Sequence, residues 1–287
     1  MPFVELLVGG ILLGGMYALI AAGLNLIFGV LRVINFAHGE ILALAALATV
    51  SLVIGLQLSF WLALLLVPLA AGVAGALVYW AVLKRIEGSP MVMSLLATYA
   101  ISTILVNVGI LVWGGGFRGV PGVLSGSVNI LGTSVPAARL VAFLVAMVVS
   151  AGVWWILSGT RFGRSVRAAS QAPELAEISG ISIRHVRLAT FILGVAMAAL
   201  AGVLMAPTFS IDPQLGSRFT IKAFAVIIVG GLGSYPGAIA AALLLGLVEV
   251  FGSYLTGAVI GSALLYLLML TVLLVRPRGL FGLGVRA

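Results

Sequence analysis

Residues 6–30 read LLVGGILLGGMYALIAAGLNLIFGV, a run without a charged side chain in which Asn25 is the one amide. A bilayer core about 30 Å thick is crossed by about 20 apolar residues, so this run predicts a membrane-spanning helix. The preceding Met1-Pro2-Phe3-Val4-Glu5 lacks the basic region of a signal peptide, and the apolar run is too long for one. The helix is therefore expected to be retained.

Further apolar segments follow at about 41–56, 60–83, 91–113, 140–157, 188–206, 221–251 and 255–275. They are continuously apolar rather than alternating, which selects helices over a membrane barrel. Composition agrees: 63% of the 287 residues are hydrophobic and 8% are charged, where a soluble domain carries roughly a quarter charged. So few charges exclude a soluble fold, and so much apolar sequence excludes disorder. The expected fold is all-α, one polytopic membrane bundle over residues 1–287 with about eight hydrophobic segments. The 37 glycines point to closely approaching helices. With no cysteine, disulfides and thiolate metal sites are excluded.

Two stretches break the pattern and read as discontinuous or re-entrant elements. In Gly23 to Glu40, polar residues interrupt apolar sequence. In Gly230-Gly231-Leu232-Gly233-Ser234-Tyr235-Pro236-Gly237, four glycines and a proline interrupt the 221–251 stretch.

Orientation follows from the basic residues. With the N-terminus outside, the inside loops hold Arg32, Lys84, Arg85, Arg161, Arg164, Arg167, Arg184, Arg187, Arg276, Arg278 and Arg286. The outside loops hold Arg118, Arg139, Arg218 and Lys222. The positive-inside rule then selects N-out and C-in. The parity holds if 221–251 enters and leaves on one side. Two loops stand out: 114–139 outside, rich in Gly, Ser and Pro, and 158–187 inside, with five arginines.

Catalysis is poorly supported. The two lysines, Lys84 and Lys222, follow Leu83 and Ile221, so no phosphate-cradling Gly-Lys-Ser/Thr exists. His38 and His185 sit outside any ligand-like cluster, and no metal or cofactor is expected. The basic charge is read as a membrane feature, without a nucleic-acid partner. Polar groups in or beside apolar sequence are the better candidates: Asn25, Asn35, His38, Glu40, Asn107 and Glu249. Asn107 alone suits a helix-bridging hydrogen bond, Glu249 a helix end or a functional site, and Asn35-His38-Glu40 a gating or pathway role. In the inside loop, Pro173 suits the first position of a helix and Gly180 its stop. Glu174 to Ser179 would form a short amphipathic helix, either a docking element for a cytoplasmic partner or a surface turn.

The run Gly23 to Leu44, with Gly-Leu-Asn-Leu-Ile-Phe-Gly-Val and Arg-Val-Ile-Asn-Phe-Ala-His-Gly-Glu, resembles the N-terminal signature of branched-chain amino acid ABC transporter permeases of the LivH type. The loop Arg161-Phe-Gly-Arg-Ser-Val-Arg-Ala-Ala169, with Pro173-Glu-Leu-Ala176 and Gly180-Ile181, resembles their cytoplasmic coupling loop. Val229-Gly-Gly-Leu-Gly-Ser234 through Pro236-Gly-Ala238 resembles their C-terminal glycine motif. Ser170 and Ala172 depart from the common alanine and acidic residue. The resemblance implies a multi-pass permease of the bacterial inner membrane, paired with a second permease, related or identical. Two cytoplasmic ATPase subunits would drive it and an extracytoplasmic solute-binding protein would deliver cargo to the 114–139 loop. By the same resemblance Asn25, Asn35, His38, Glu40, Gly230, Gly231, Gly233, Pro236 and Gly237 belong to the substrate pathway. Arg164, Arg167, Pro173, Glu174, Leu175 and Gly180 would seat the ATPase. Cargo could also be urea or short amides. An ion-coupled carrier is the other class, and would need more titratable groups deep in the spans.

Overall fold

The computed structural model describes residues 2–282; Arg286 of the charge argument lies outside them. Among the described residues the chain forms α1 (Pro2–Leu31), α2 (His38–Val50), α3 (Phe60–Ala81), α4 (Met91–Trp113), β1 (Ser127–Ile130), β2 (Thr133–Pro136), α5 (Ala137–Gly159), α6 (Arg161–Gln171), α7 (Pro173–Ile178), α8 (Ile183–Met205), α9 (Leu215–Gly230), α10 (Tyr235–Thr256) and α11 (Ala258–Val275). A π-helical turn, Ser51–Gly55, extends α2. Eight helices are long and apolar enough to cross a bilayer: α1, α2 with its extension, α3, α4, α5, α8, α10 and α11. The polytopic all-α bundle is therefore as expected.

Burial sorts these helices into a centre and a sheath. The most apolar windows of α1 and α8 are 83% and 67% buried, those of α4 and α11 only 11%. Helices α2, α9 and α10 pack with α1 and α8 at the centre. Glycine sets the closeness of this centre. A methyl group on Gly10 would lie 2.9 Å from the Leu247 Cα, and one on Gly14 2.7 Å from the Leu243 Cα. The backbones of α1 and α10 thus touch directly, trading side-chain burial for dispersion contacts between main chains.

The 221–251 stretch is two helices, α9 and α10, joined by Gly231–Ser234. Phe251 near the end of α10 packs edge-on against Phe3 at the start of α1, with ring centroids 5.7 Å apart. Thr208 and Phe209, just before α9, share a cavity with Glu5. The α9–α10 hairpin thus enters and leaves at the end of the bundle where α1 begins. Its tip lies at the opposite end, where Gly233 N–H donates to Asn25 Oδ1 at 2.8 Å.

Several sequence expectations change. The Gly23–Glu40 interruption is narrower: α1 continues to Leu31, so Asn25 is inside a regular helix, and the break is Arg32–Ala37. The 158–187 segment is largely two helices, α6 and α7. The 114–139 segment ends in a β-hairpin and the first turn of α5. Arg218 and Lys222 are on α9 rather than in a loop, because their long side chains find acidic partners there. Among the described residues Asn107 bonds within its own helix rather than across helices: its Nδ2 donates to Thr103 O at 2.8 Å. Glu249 lies within α10, away from its ends.

Candidate functional site

The break after α1 brings polar groups deep into the bundle. Phe36 N–H donates to Thr98 Oγ1 at 3.2 Å, and Thr98 Oγ1 donates to Ile34 O at 2.7 Å, so α4 holds the extended segment. His38 Nε2 donates to Ile20 O at 3.0 Å, which places the start of α2 beside the middle of α1. From there α2 and α9 meet at their first turns. Gly39 N–H donates to Thr220 Oγ1 at 3.0 Å, and Thr220 Oγ1 donates to Gly216 O at 3.0 Å. A Cβ on Gly39 or on Gly216 would overlap the other residue's carbonyl region. Glycine is required at both positions because one backbone crosses the other.

Glu40 lies at this crossing, 1% exposed. Ser102 Oγ donates weakly to its Oε1 at 3.4 Å. Its Oε2, Asn35 Nδ2 and His38 Nδ1 are buried without a partner among the described residues. Such groups are expensive in a low-dielectric interior and usually mark water or ligand. The structure therefore brings Asn35, His38 and Glu40 into one region.

The surface above this region is polar where lipid contact would predict hydrocarbon. Tyr99, Thr103 and Asn107 repeat at i, i+4, i+8 on α4, all exposed. Tyr99 packs edge-on to Phe36 at 6.3 Å, and Phe36 against Phe224 of α9 at 5.3 Å. On α9 Ser217 and Arg218 are also exposed. Arg218 pairs with Asp212, whose Oδ1 accepts from Gln214 N–H at 2.8 Å. The α4 stripe was unread in the sequence; its four-residue spacing was the available signal.

The glycine motif sits elsewhere. Gly231 and Gly233 take positive φ, 99° and 83°. Ser234 Oγ caps α10 by accepting from Gly237 N–H at 3.2 Å, with Pro236 in the first turn. Gly230 O accepts from Phe281 N–H at 3.2 Å, tying the motif to the chain after α11. Asn25 joins this cluster through Gly233. The candidate pathway residues thus fall into two groups, one around Glu40 and one at the tip of the α9–α10 hairpin.

At the same end as that tip, α6 and α7 lie across the bundle. Gly163, Val166 and Ala169 are buried while Arg161, Arg164 and Arg167 form an exposed stripe. Arg167 donates to Leu157 O. Pro173 begins α7 and Gly180 ends it at φ 82°, with Ile181 N–H donating to Ala176 O at 3.0 Å. Glu174 is exposed beside Leu175 and Ile178, which are 66% and 84% exposed. Two large apolar side chains thus stand exposed together on one short helix.

A third polar constellation surrounds Glu249, a candidate whose partners the sequence did not reveal. Lys222 Nζ lies 2.6 Å from Glu249 Oε1 and 2.9 Å from Tyr17 OH. Tyr17 OH donates to Glu249 Oε2 at 2.6 Å, and Ser262 Oγ to Oε1 at 3.0 Å. One buried ion pair ties α1, α9, α10 and α11.

Among the described residues, eight helices long and apolar enough to cross a bilayer make this a multi-pass membrane protein. The chain belongs to the branched-chain amino acid transport system / permease component family, whose model matches residues 6–273. It is 29% identical to the high-affinity branched-chain amino acid transport system permease protein BraD of Pseudomonas aeruginosa, over 98% of this chain and 96% of that protein. It is equally similar to the LivH permease protein of Escherichia coli (strain K12), with the same shares covered. Among solved structures, PsaBC from Streptococcus pneumoniae in complex with Fab matches 94% of this chain and 90% of that one, with a TM-score of 0.53 and 15% identity. That likeness supports the fold alone.

Proposed function

We propose that the chain is a permease subunit of an ATP-driven importer for branched-chain amino acids in the bacterial inner membrane, oriented N-out and C-in. The observation that carries this reading is the α4 stripe Tyr99–Thr103–Asn107, exposed at the depth of the spans and backed by buried Glu40. Polar side chains on a spanning helix face a partner or a water-filled route. A second permease, related or identical, would close that route opposite α4 and α9. Phe36, Tyr99 and Phe224 offer an apolar wall for an aliphatic side chain, and the nearby polar groups suit a zwitterionic backbone. Asn25 and the glycine motif would form the inner end of the route, where the hairpin tip can shift against the end helices.

Energy enters through α6 and α7. Leu175 would insert into an ATPase subunit with Glu174 beside it, while Pro173 and Gly180 define the helix ends and Arg164 and Arg167 flank the contact. The chain itself hydrolyses nothing in this scheme. The segment 114–139 would receive a solute-binding protein. Reconstitution into vesicles with the ATPase and binding protein tests the reading: leucine uptake should require ATP. Uptake driven by a proton gradient without ATPase subunits overturns it, and uptake of urea but not leucine moves the cargo assignment.

A further inference from the structure

A cavity of about 430 Å³ opens between the first half of α1, the start of α5 and the end of α10. Glu5 and Arg139 line it together with Leu6, Leu12, Leu13 and Met16. Both charged residues are exposed, and neither forms a salt bridge among the described residues. From residue 5 to residue 16, α1 rises about 16 Å at 1.5 Å per residue. That is close to the acyl layer of one leaflet, about 15 Å. The site is thus long and mostly apolar, with one charge of each sign in its lining. A free amino acid would fill only the upper part of such a slot.

We propose that this cavity binds one zwitterionic glycerophospholipid from the leaflet at the N-terminal end of α1. The phosphate sits on Arg139, whose planar fork matches it and whose place in the first turn of α5 adds the helix dipole. The lipid ammonium faces Glu5. One acyl chain runs along Leu13 toward Met16, and Tyr254 stands at headgroup level, where an amphipathic ring is favoured. A singly anionic headgroup would pair Arg139 but leave Glu5 opposed. The site shares no residue with the Glu40 region or the glycine motif.

The test uses the full chain in vesicles of phosphatidylethanolamine and phosphatidylglycerol, with a trace of phosphatidylethanolamine carrying a photoreactive group within one acyl chain. After irradiation, mass spectrometry should find labelling of Leu13 and Met16 well above that of Leu69 and Leu77 on the exposed face of α3. Arg139→Ala should lower cavity labelling about tenfold, the loss of one charge-assisted contact. Gly9→Leu, whose Cβ would make an ordinary 3.8 Å contact with Val250, should fill the slot and abolish it. Equal labelling of the cavity and α3, unchanged labelling in both variants, or displacement of the probe by free leucine would each overturn the proposal.

Discussion

Removing one member of the Lys222–Glu249 pair should destabilise the bundle far more than removing both. The side chains are 16% and 10% exposed, so neither survivor can recruit full hydration. Glu249→Leu leaves the Lys222 ammonium with Tyr17 OH as its remaining partner. Breaking a buried pair in this way costs about 3–5 kcal/mol, and the upper part of that range is expected here. Lys222→Met leaves a carboxylate that still accepts from Tyr17 and Ser262, so about 3 kcal/mol is expected. The double variant removes both charges and strands two hydroxyls, at about 1 kcal/mol each. It should lose about 2 kcal/mol, less than either single change, giving a coupling of about 5 kcal/mol. Equilibrium unfolding of the purified full chain by denaturing detergent, followed by tryptophan fluorescence, gives all four corners of the cycle. A double variant whose loss equals the sum of the singles would refute the pairing argument.

Other perturbations probe other contacts. Gly216→Val should prevent the α2–α9 crossing, because its Cβ would overlap Glu40 and the Gly39 carbonyl; the yield of monodisperse protein should fall sharply, while Ser217→Val leaves it unchanged. Leu175→Glu should cut co-purification of the ATPase at least tenfold with an unaltered unfolding midpoint, since this side chain is exposed in the chain alone. Arg184→Cys should react with a membrane-impermeant thiol reagent only from the cytoplasmic side; labelling from outside would reverse the orientation.

The helical spans were legible because hydrocarbon leaves few backbone solutions, and residues 91–113 were bounded from hydropathy to the residue. The short helix after Pro173 was legible for a different reason, local stop and start chemistry at Pro173 and Gly180. Helix α6 was not, because a run with three arginines reads as loop until one face is known to be covered. The region around Asn35, His38 and Glu40 announced itself by polarity in apolar surroundings. Its partners did not: Thr220 and Gly216 lie about 180 residues onward, and nothing local couples such distant positions. Lys222 was misplaced for the same reason. A lysine beside apolar sequence looks like a loop residue until Glu249 and Tyr17 are known to surround it.

The direct contact of α1 with α10 also has a consequence in time. Synthesis delivers α1 to the membrane first, yet the residues that cover Gly10 and Gly14 lie near position 245. For most of translation the smooth glycine face of α1 is solvated by lipid tails or held by an insertion chaperone. A ribosome that stops before α10 releases a fragment whose best-packed surface is still bare, a ready mark for membrane proteases to recognise unfinished chains.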